Sequence, residues 1–259
     1  MMAPGSFASG IWVGMEGVKV NQVGTTGAIV ASGKLVAVDA IQGAINVDFT
    51  PIAATTTTSH RLCYDGMESA KEYIGLNKIM TTTSGTLFGI ANSGYSLFQP
   101  NYKTLGAVKL TLGRFQTEVA NAVNKGGLEG DLDCLVNPRT WATLATTEAG
   151  LRAYDKSYSP SEAENGFEAI SFYTQAGKAT FRPHRMIKEG ECYALHAPTW
   201  SRSGSAEVSF TVPGMPQELI FPLENQAAYA FRSYSDQYIF CHQPSWNILI
   251  DGINDESAT

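Results

Sequence analysis

The sequence predicts an α+β protein, and three observations predict it. The opening is rich in Gly, Val, Ala and Thr and alternates with a period of two; the middle carries an amphipathic helix, a short apolar run and a second helix; the closing third returns to alternation and is dense in Tyr and Phe. At 259 residues with 44% hydrophobic content, the chain can bury one large core or two modest ones.

Taken in order, the clearest strands of the opening lie in KLVAVDAIQGAINVDFT. Leu35, Ala37 and Asp39 alternate with Val36, Val38 and Ala40, and Gln42-Gly43 then turns the chain into Ile45, Val47 and Phe49, a β-hairpin pattern. From Ile52 to Gly106 the sequence is turn-rich, through TTTTSH, MTTTSG, IANSGYS and FQPNYKT. One short helix is expected in DGMESAKEYIG, with Asp65 as N-cap, Glu68 three residues on and a stop before Gly75. The strongest helix is TLGRFQTEVANAVNKGG. Its Leu112, Phe115, Val119, Ala122 and Val123 recur at steps of three and four, Arg114, Gln116, Glu118 and Asn121 take the other face, and Gly126-Gly127 ends it.

After Glu129, Gly130 and Asp131, the run Leu132, Cys134, Leu135, Val136 is too short for a helix and reads as a buried strand. Asn137 then offers a side-chain oxygen to the orphan N–H groups of a new helix, and Pro138 suits its first position because the N–H it lacks would have had no partner. Trp141, Leu144 and Ala145 form the apolar face of that helix, with Gly150 as its stop. Beyond it, GFEAISFY, KATFRPHR and ECYALHAP read as strands, QAGK as a hairpin turn and Pro198-Thr199-Trp200 as a turn before the strand AEVSFTV. The segment AAYAFRSYSDQYIFCHQPSWNILI reads as long and extended.

Composition narrows function. Charged residues make up 16% of the chain, the net charge is −6, and no Lys/Arg cluster tracks a phosphate backbone, so specific nucleic-acid binding is not expected. The apolar runs fall short of the roughly 20 residues that span a bilayer. The start MMAPGSFASG has neither the basic region nor the apolar stretch of a secretion signal, so a soluble, cytoplasmic product with no membrane partner is expected. The four cysteines, Cys63, Cys134, Cys192 and Cys241, form no C-x-x-C pair and read as buried free thiols.

Chemical motifs are weak throughout. GAIVASGK has five residues between Gly27 and Gly33 and Leu35 after Lys34, whereas a phosphate loop needs about four and then Ser or Thr. Neither a G-x-S-x-G elbow nor an H-E-x-x-H helix occurs. His60, His184, His196 and His242 are dispersed. A hydrolase using His184 or His196 with Cys192 is one alternative, and it requires those groups to converge in a pocket. SEAENGFE at 161–168 reads as a solvated acidic loop. No catalytic residue, metal or cofactor is expected. A β-rich tail or receptor-binding module is a further alternative, which predicts a trimer and internal repeats, and no repeats are visible.

The order amphipathic helix, short strand, N-P-R, Trp-containing helix, hairpin and P-H-R resembles the tailed-phage major capsid proteins of the Hong Kong 97 type. The residues that carry the resemblance are LVNPRTWATL, then KATFRPHRMIKEGECYALHAPTWSRSG, then the closing YAFRSYSDQYIFCHQPSWNILI with its aromatic, Cys, Pro, Trp, Asn ending. The likeness covers about Ala107 to Asn254, and FASGIWVGMEGVKV and VAVDAIQGAINVDF look like an inserted β-module of one subgroup. The resemblance implies a β-rich module over 1–51, a loop-rich connection over 52–106, an axial domain over 107–222 and a return toward a peripheral region over 223–259. It implies a structural subunit that assembles with itself into pentamers and hexamers of a shell around double-stranded DNA, located in the virion and, during assembly, in the host cytoplasm, with other phage structural proteins as partners. The family's N-terminal arm, extended loop and spine helix are expected to be missing. The resemblance also implies a candidate contact loop in RAYDKSYSPSEAENG, within which Tyr154, Asp155, Lys156 and Tyr158 are the expected subunit contacts.

Overall fold

The alternating opening builds a four-stranded antiparallel sheet. In the computed structural model, which describes residues 16–24, 28–39, 44–50, 61–65, 74–152, 170–210, 220–222, 227–231 and 233–255, β1 (Lys19–Val23), β2 (Ile29–Asp39), β3 (Ala44–Thr50) and β4 (Arg61–Tyr64) pair in the order β3-β2-β1-β4. The expected hairpin is there: Leu35 faces Val47 and Val38 faces Ile45, with a bulge between Leu35 and Ala37. Its turn at 40–43 lies outside the described residues. Strand β2 starts at Ile29, so most of GAIVASGK is extended sheet rather than a phosphate-binding loop. Asp65 closes the module by accepting hydrogen bonds from Asn21 and Lys19, which hold its carboxyl below the usual carboxylate range.

Most of the helix expected before Gly75, residues 66–73, lies outside the described residues. Gly75 itself does not precede a loop but a helix, α1 (Leu76–Thr81), whose Ile79 and Met80 are fully buried. A tight hairpin follows, β5 (Thr86–Leu87) and β6 (Ile90–Ala91), and then two single turns of 3₁₀ helix, Asn92–Gly94 and Ser96–Phe98. Where the sequence suggests more connection, NYKT opens an eight-residue strand, β7 (Asn101–Val108). It is a strand because it pairs in parallel with a segment far along the chain, Asn101 against Ile248 through Val108 against Ile253.

The central passage folds as its periodicity predicts. Helix α2 (Leu112–Gly126) is capped by the Thr111 hydroxyl, which accepts from the Arg114 N–H, and ends at Gly127 in the left-handed region (φ 66°). Phe115, Val119 and Ala122 are buried as expected, and so is Glu118, placed on the polar face by the sequence; its carboxylate accepts from Asn121 one turn on. Strand β8 (Leu132–Val136) leads directly into helix α3 (Pro138–Arg152). Asn137 caps it: its Oδ1 accepts from the Arg139 N–H at 3.0 Å while its Nδ2 donates to the Ile187 carbonyl. The helix continues past Gly150 to Arg152, since one glycine in a helix interior costs only about 1 kcal/mol.

The remaining strands are β9 (Ile170–Tyr173), β10 (Lys178–Pro183), β11 (Cys192–Leu195), β12 (Trp200–Ser209), β13 (Ile220–Pro222), β14 (Tyr229–Phe231), β15 (Tyr234–Cys241) and β16 (Ile248–Ile253). QAGK is the turn of the β9–β10 hairpin as predicted. Two expectations change. Strand β12 begins at Trp200, not after it, because it pairs along its length with β15. The long closing segment is not one strand: β14 pairs with β13, β15 with β12, and β16 enters a larger sheet.

That larger sheet is the centre of the molecule, six mixed strands in the order β7-β16-β11-β8-β10-β9. Successive side chains of its inner strands point to opposite faces, so each strand feeds two clusters. Leu132, Cys134, Val136, Phe181, Cys192, Ile248 and Ile250 face α2 and α3. Phe115 of α2 meets Phe181 edge-on at 5.0 Å, and Phe172 stacks on Phe181 at 5.5 Å. Tyr193 and Leu249 face the other way, onto Met80 of α1 and Ile187. The Tyr193 hydroxyl donates to Glu191 and accepts from Asn77 of α1, while burial raises its pKa. The protein is thus mixed α+β, mostly sheet with few helices.

Asn247, fully buried just before β16, joins these pieces. Its Oδ1 accepts from the His196 N–H at 2.9 Å and the Trp200 indole N–H at 2.8 Å. Its Nδ2 donates to Thr199 Oγ1 and the Gln243 carbonyl, both at 3.1 Å, and its own carbonyl accepts from the Asn101 N–H. We expect Asn247→Leu, which keeps the volume but strands two buried N–H donors, to lower unfolding free energy by about 3 kcal/mol in urea titrations.

Near the end of β16, Thr140 of α3 donates to Asp255, and burial raises the Asp255 pKa despite that bond. A folded pKa above the unfolded one means that the folded state holds more protons between the two values. Stability is then highest below the ordinary carboxylate pKa and falls as pH rises through the folded value. Asp255→Asn should therefore raise the thermal midpoint near pH 7 and change it less near pH 4, with differential scanning calorimetry as the check.

Candidate assembly surfaces

Two apolar surfaces stand out, at opposite ends of the β12–β15 ribbon. The first is built on the β5–β6 hairpin. Its two-residue turn, Phe88-Gly89, has positive φ at both positions (52° and 80°), the type I′ geometry that suits the twist of a hairpin. A left-handed phenylalanine costs roughly 1–2 kcal/mol. Contact of the Phe88 ring with Phe240 of β15, 4.6 Å between centroids, offsets that cost and pins the hairpin to the ribbon. Beneath it, Ile79, Leu87 and Cys241 make a buried floor.

The chain after the hairpin is held just as firmly. Asn92, fully buried, donates to the Thr82 carbonyl through Nδ2 and accepts from Gln99 through its own carbonyl. Lys125, near the end of α2, donates to the Gln99 and Pro100 carbonyls, and partial burial lowers its pKa. Ile90, Ala91, Tyr95, Leu97, Phe98 and His242 consequently line a groove of about 670 Å³ on a rigid base. Tyr95 is 63% exposed and Leu97 59%. The groove's one imidazole is engaged, with His242 Nε2 2.7 Å from Ser201 Oγ.

The second surface lies at the far end of the ribbon. Val208, Phe210, Ile220, Tyr229 and Phe231 are exposed there, and the Phe210 and Phe231 rings touch at 4.9 Å, which joins the ribbon to the β13–β14 pair. Ile220 sits opposite Phe231 in that pair, so the two share a face. Sequence reading passed over both surfaces. The available signal was large apolar side chains inside Gly/Ser-rich turns, as in IANSGYSLF.

The expected contacts Tyr154, Asp155, Lys156 and Tyr158 lie outside the described residues; they follow directly on α3, which ends at Arg152. The groups required by the hydrolase alternative do not converge. His184 is exposed and hydrogen-bonded beside Val136 at one end of β8, whereas His196 meets the Asp131 carbonyl at the other end. His196 packs edge-on against Trp246, and its approach to Gly130 is so close that a Cβ there would lie 2.5 Å from the ring. Cys192 is fully buried and its thiol pKa is raised by burial. Among the described residues, no cluster of His, Cys, Asp and Glu is placed to hold a metal, and no helix is long and apolar enough to cross a membrane.

Compared with known proteins, the chain matches no family model and no curated protein.

The thiols give a direct check on this packing. Burial pushes the Cys134 and Cys192 thiols far up and that of Cys241 up to about 11, while Cys63 is only half-buried. The thiolate is the reactive form. At pH 8 the native protein should react with a thiol reagent at Cys63 alone, and at all four cysteines in denaturant. Rapid native modification of Cys134 or Cys192 would contradict the packing described.

Proposed function

We propose that the chain is a structural subunit that acts through repeated contacts with copies of itself. Within that class, our reading is a tailed-phage major capsid protein of the Hong Kong 97 type, forming pentamers and hexamers of an icosahedral shell that encloses double-stranded DNA. The observation that carries the reading is an order of elements. Helix α2, strand β8, the Asn137-Pro138-Arg139 cap, helix α3, the β9–β10 hairpin and β11 follow the succession on which the sequence resemblance rests, and β16 returns to the middle of their sheet. On this reading residues 107–222 form most of the axial domain, joined at its edge by β7, and 223–259 lead back to the peripheral region. The opening sheet is the inserted β-module, and Tyr154, Asp155, Lys156 and Tyr158 belong to a subunit contact.

Exposed apolar surface on a rigid frame supports assembly more than catalysis. A lattice subunit needs many weak, repeated interfaces, and head-to-tail contacts that close by rotation make rings. The hydrolase alternative has no comparable support, since its histidines lie at opposite ends of β8. Size-exclusion chromatography with light scattering, joined to negative-stain imaging at rising protein concentration, tests the proposal. Rings of five or six subunits, or closed shells, are the expected result; a monomer at every concentration would count against it.

A further inference from the structure

The groove beside the ribbon's base joins an apolar wall to polar groups that the chain itself leaves unused. Its lining residues, and the residues on either side of each, are all among those described. Ile90, Ala91, Leu97 and Phe98 supply the wall, while His242 and Gln243 stand side by side just after β15. The imidazole is held in place, with the Ser201 hydroxyl 2.7 Å from Nε2 and the Phe240 ring edge-on at 4.9 Å. Its Nδ1, the Gln243 carboxamide and the Tyr95 hydroxyl have no hydrogen-bond partner among the described residues.

We propose that this groove binds an amphipathic small molecule with a carboxylate head, of which a medium-chain alkyl carboxylate is the simplest form. The head meets His242 and Gln243, and the chain lies along Ile90, Leu97 and Phe98. An ionised carboxylate only accepts hydrogen bonds, so it needs donors. The Ser201 hydroxyl can turn to donate to Nε2, which leaves the ring's proton on Nδ1, and His242, Gln243 and Tyr95 then each offer one. The lining has no Asp or Glu to repel an anion or to pair with an ammonium. Mostly apolar walls with a few converging polar groups are the usual form of a small-molecule site of about 300–1,000 Å³, and this groove measures about 670 Å³.

The exposed area suits a small ligand better than a protein. Ile90, Tyr95 and Leu97, at about 200 Å² each and roughly half exposed, offer about 300 Å². A stable protein interface buries about 800 Å² per partner. The frame is also set before any ligand arrives. Phe88 on Phe240 pins the hairpin, and Ile79, Leu87 and Cys241 form the floor, so little ordering cost falls on binding. This inference goes beyond the assembly reading and does not rest on it.

Isothermal titration calorimetry of the full chain with octanoate, hexanoate, octanol and octylammonium tests the proposal. Octanoate should bind saturably, and hexanoate more weakly, by up to about fourfold for each missing methylene. Octanol should bind about tenfold more weakly than octanoate, because a hydrogen bond to a charged group is the stronger kind, and octylammonium more weakly still. His242→Ala should weaken octanoate about tenfold and leave octanol nearly unchanged, which separates recognition of the head from contact with the wall. Leu97→Asp should abolish octanoate binding, with Ile90→Asp in its place should it fail to fold by circular dichroism. No binding of octanoate, binding that survives the aspartate in the wall, or octanol bound as tightly as octanoate would overturn the proposal. If octanoate fails to bind and Leu97→Asp turns an assembling protein into a monomer in light scattering, the groove belongs to a second copy and the assembly reading stands without this one.

Discussion

The amide of Asn247 holds together parts of the molecule that share no local sequence. It is fully buried, and a buried amide with unmet hydrogen-bonding capacity is expensive, so the groups around it are fixed in number and direction. Its oxygen holds the end of β11 through His196 and the start of β12 through Trp200. Its nitrogen holds the turn after β15, and its backbone receives β7 through Asn101. The central sheet, the ribbon and the groove beside the ribbon's base therefore share one origin. Trp246, the preceding residue, adds α2 to the junction by donating to the Gly126 carbonyl.

What could be read in the sequence was what local chemistry decides. Helix α2 declares itself through the spacing of Phe115, Val119 and Ala122 and through Gly127, and the boundary between β8 and α3 is written in Asn137-Pro138. Strand β7 could not be read, because Asn101–Val108 alternates poorly and becomes a strand only through its remote partner β16. The early start of β12 was hidden for the same reason, since Ser201, Arg202 and Ser203 look like a turn until β15 pairs with them. Glu118 was misplaced because helical periodicity assigns a face but does not foresee that Asn121 will satisfy a buried carboxylate.

The candidate surfaces were less legible than the fold. A groove is a property of elements meeting: Ile90 comes from a hairpin, Leu97 from a 3₁₀ turn and His242 from the end of the ribbon. Among the histidines, His184 and His196 have separate structural settings at opposite ends of β8, a separation that their spacing in the sequence does not show. Exposed aromatics in short strands look in sequence like ordinary sheet interior. Only the pairing pattern reveals that, among the described residues, β13 pairs with β14 alone and leaves Ile220, Tyr229 and Phe231 exposed.

The position of β16 bears on the order in which the protein is made. It sits between β7 and β11 in the sheet, yet is synthesised after both. Until it leaves the ribosome, β7 has no neighbour in that sheet and the Asn247 junction does not exist. Helices α2 and α3 and strands β8 to β11 can collapse early around local contacts, but the nascent chain stays unfinished in the middle rather than at an edge. A chain built in this way completes its central sheet and the Asn247 junction together, in a single late step.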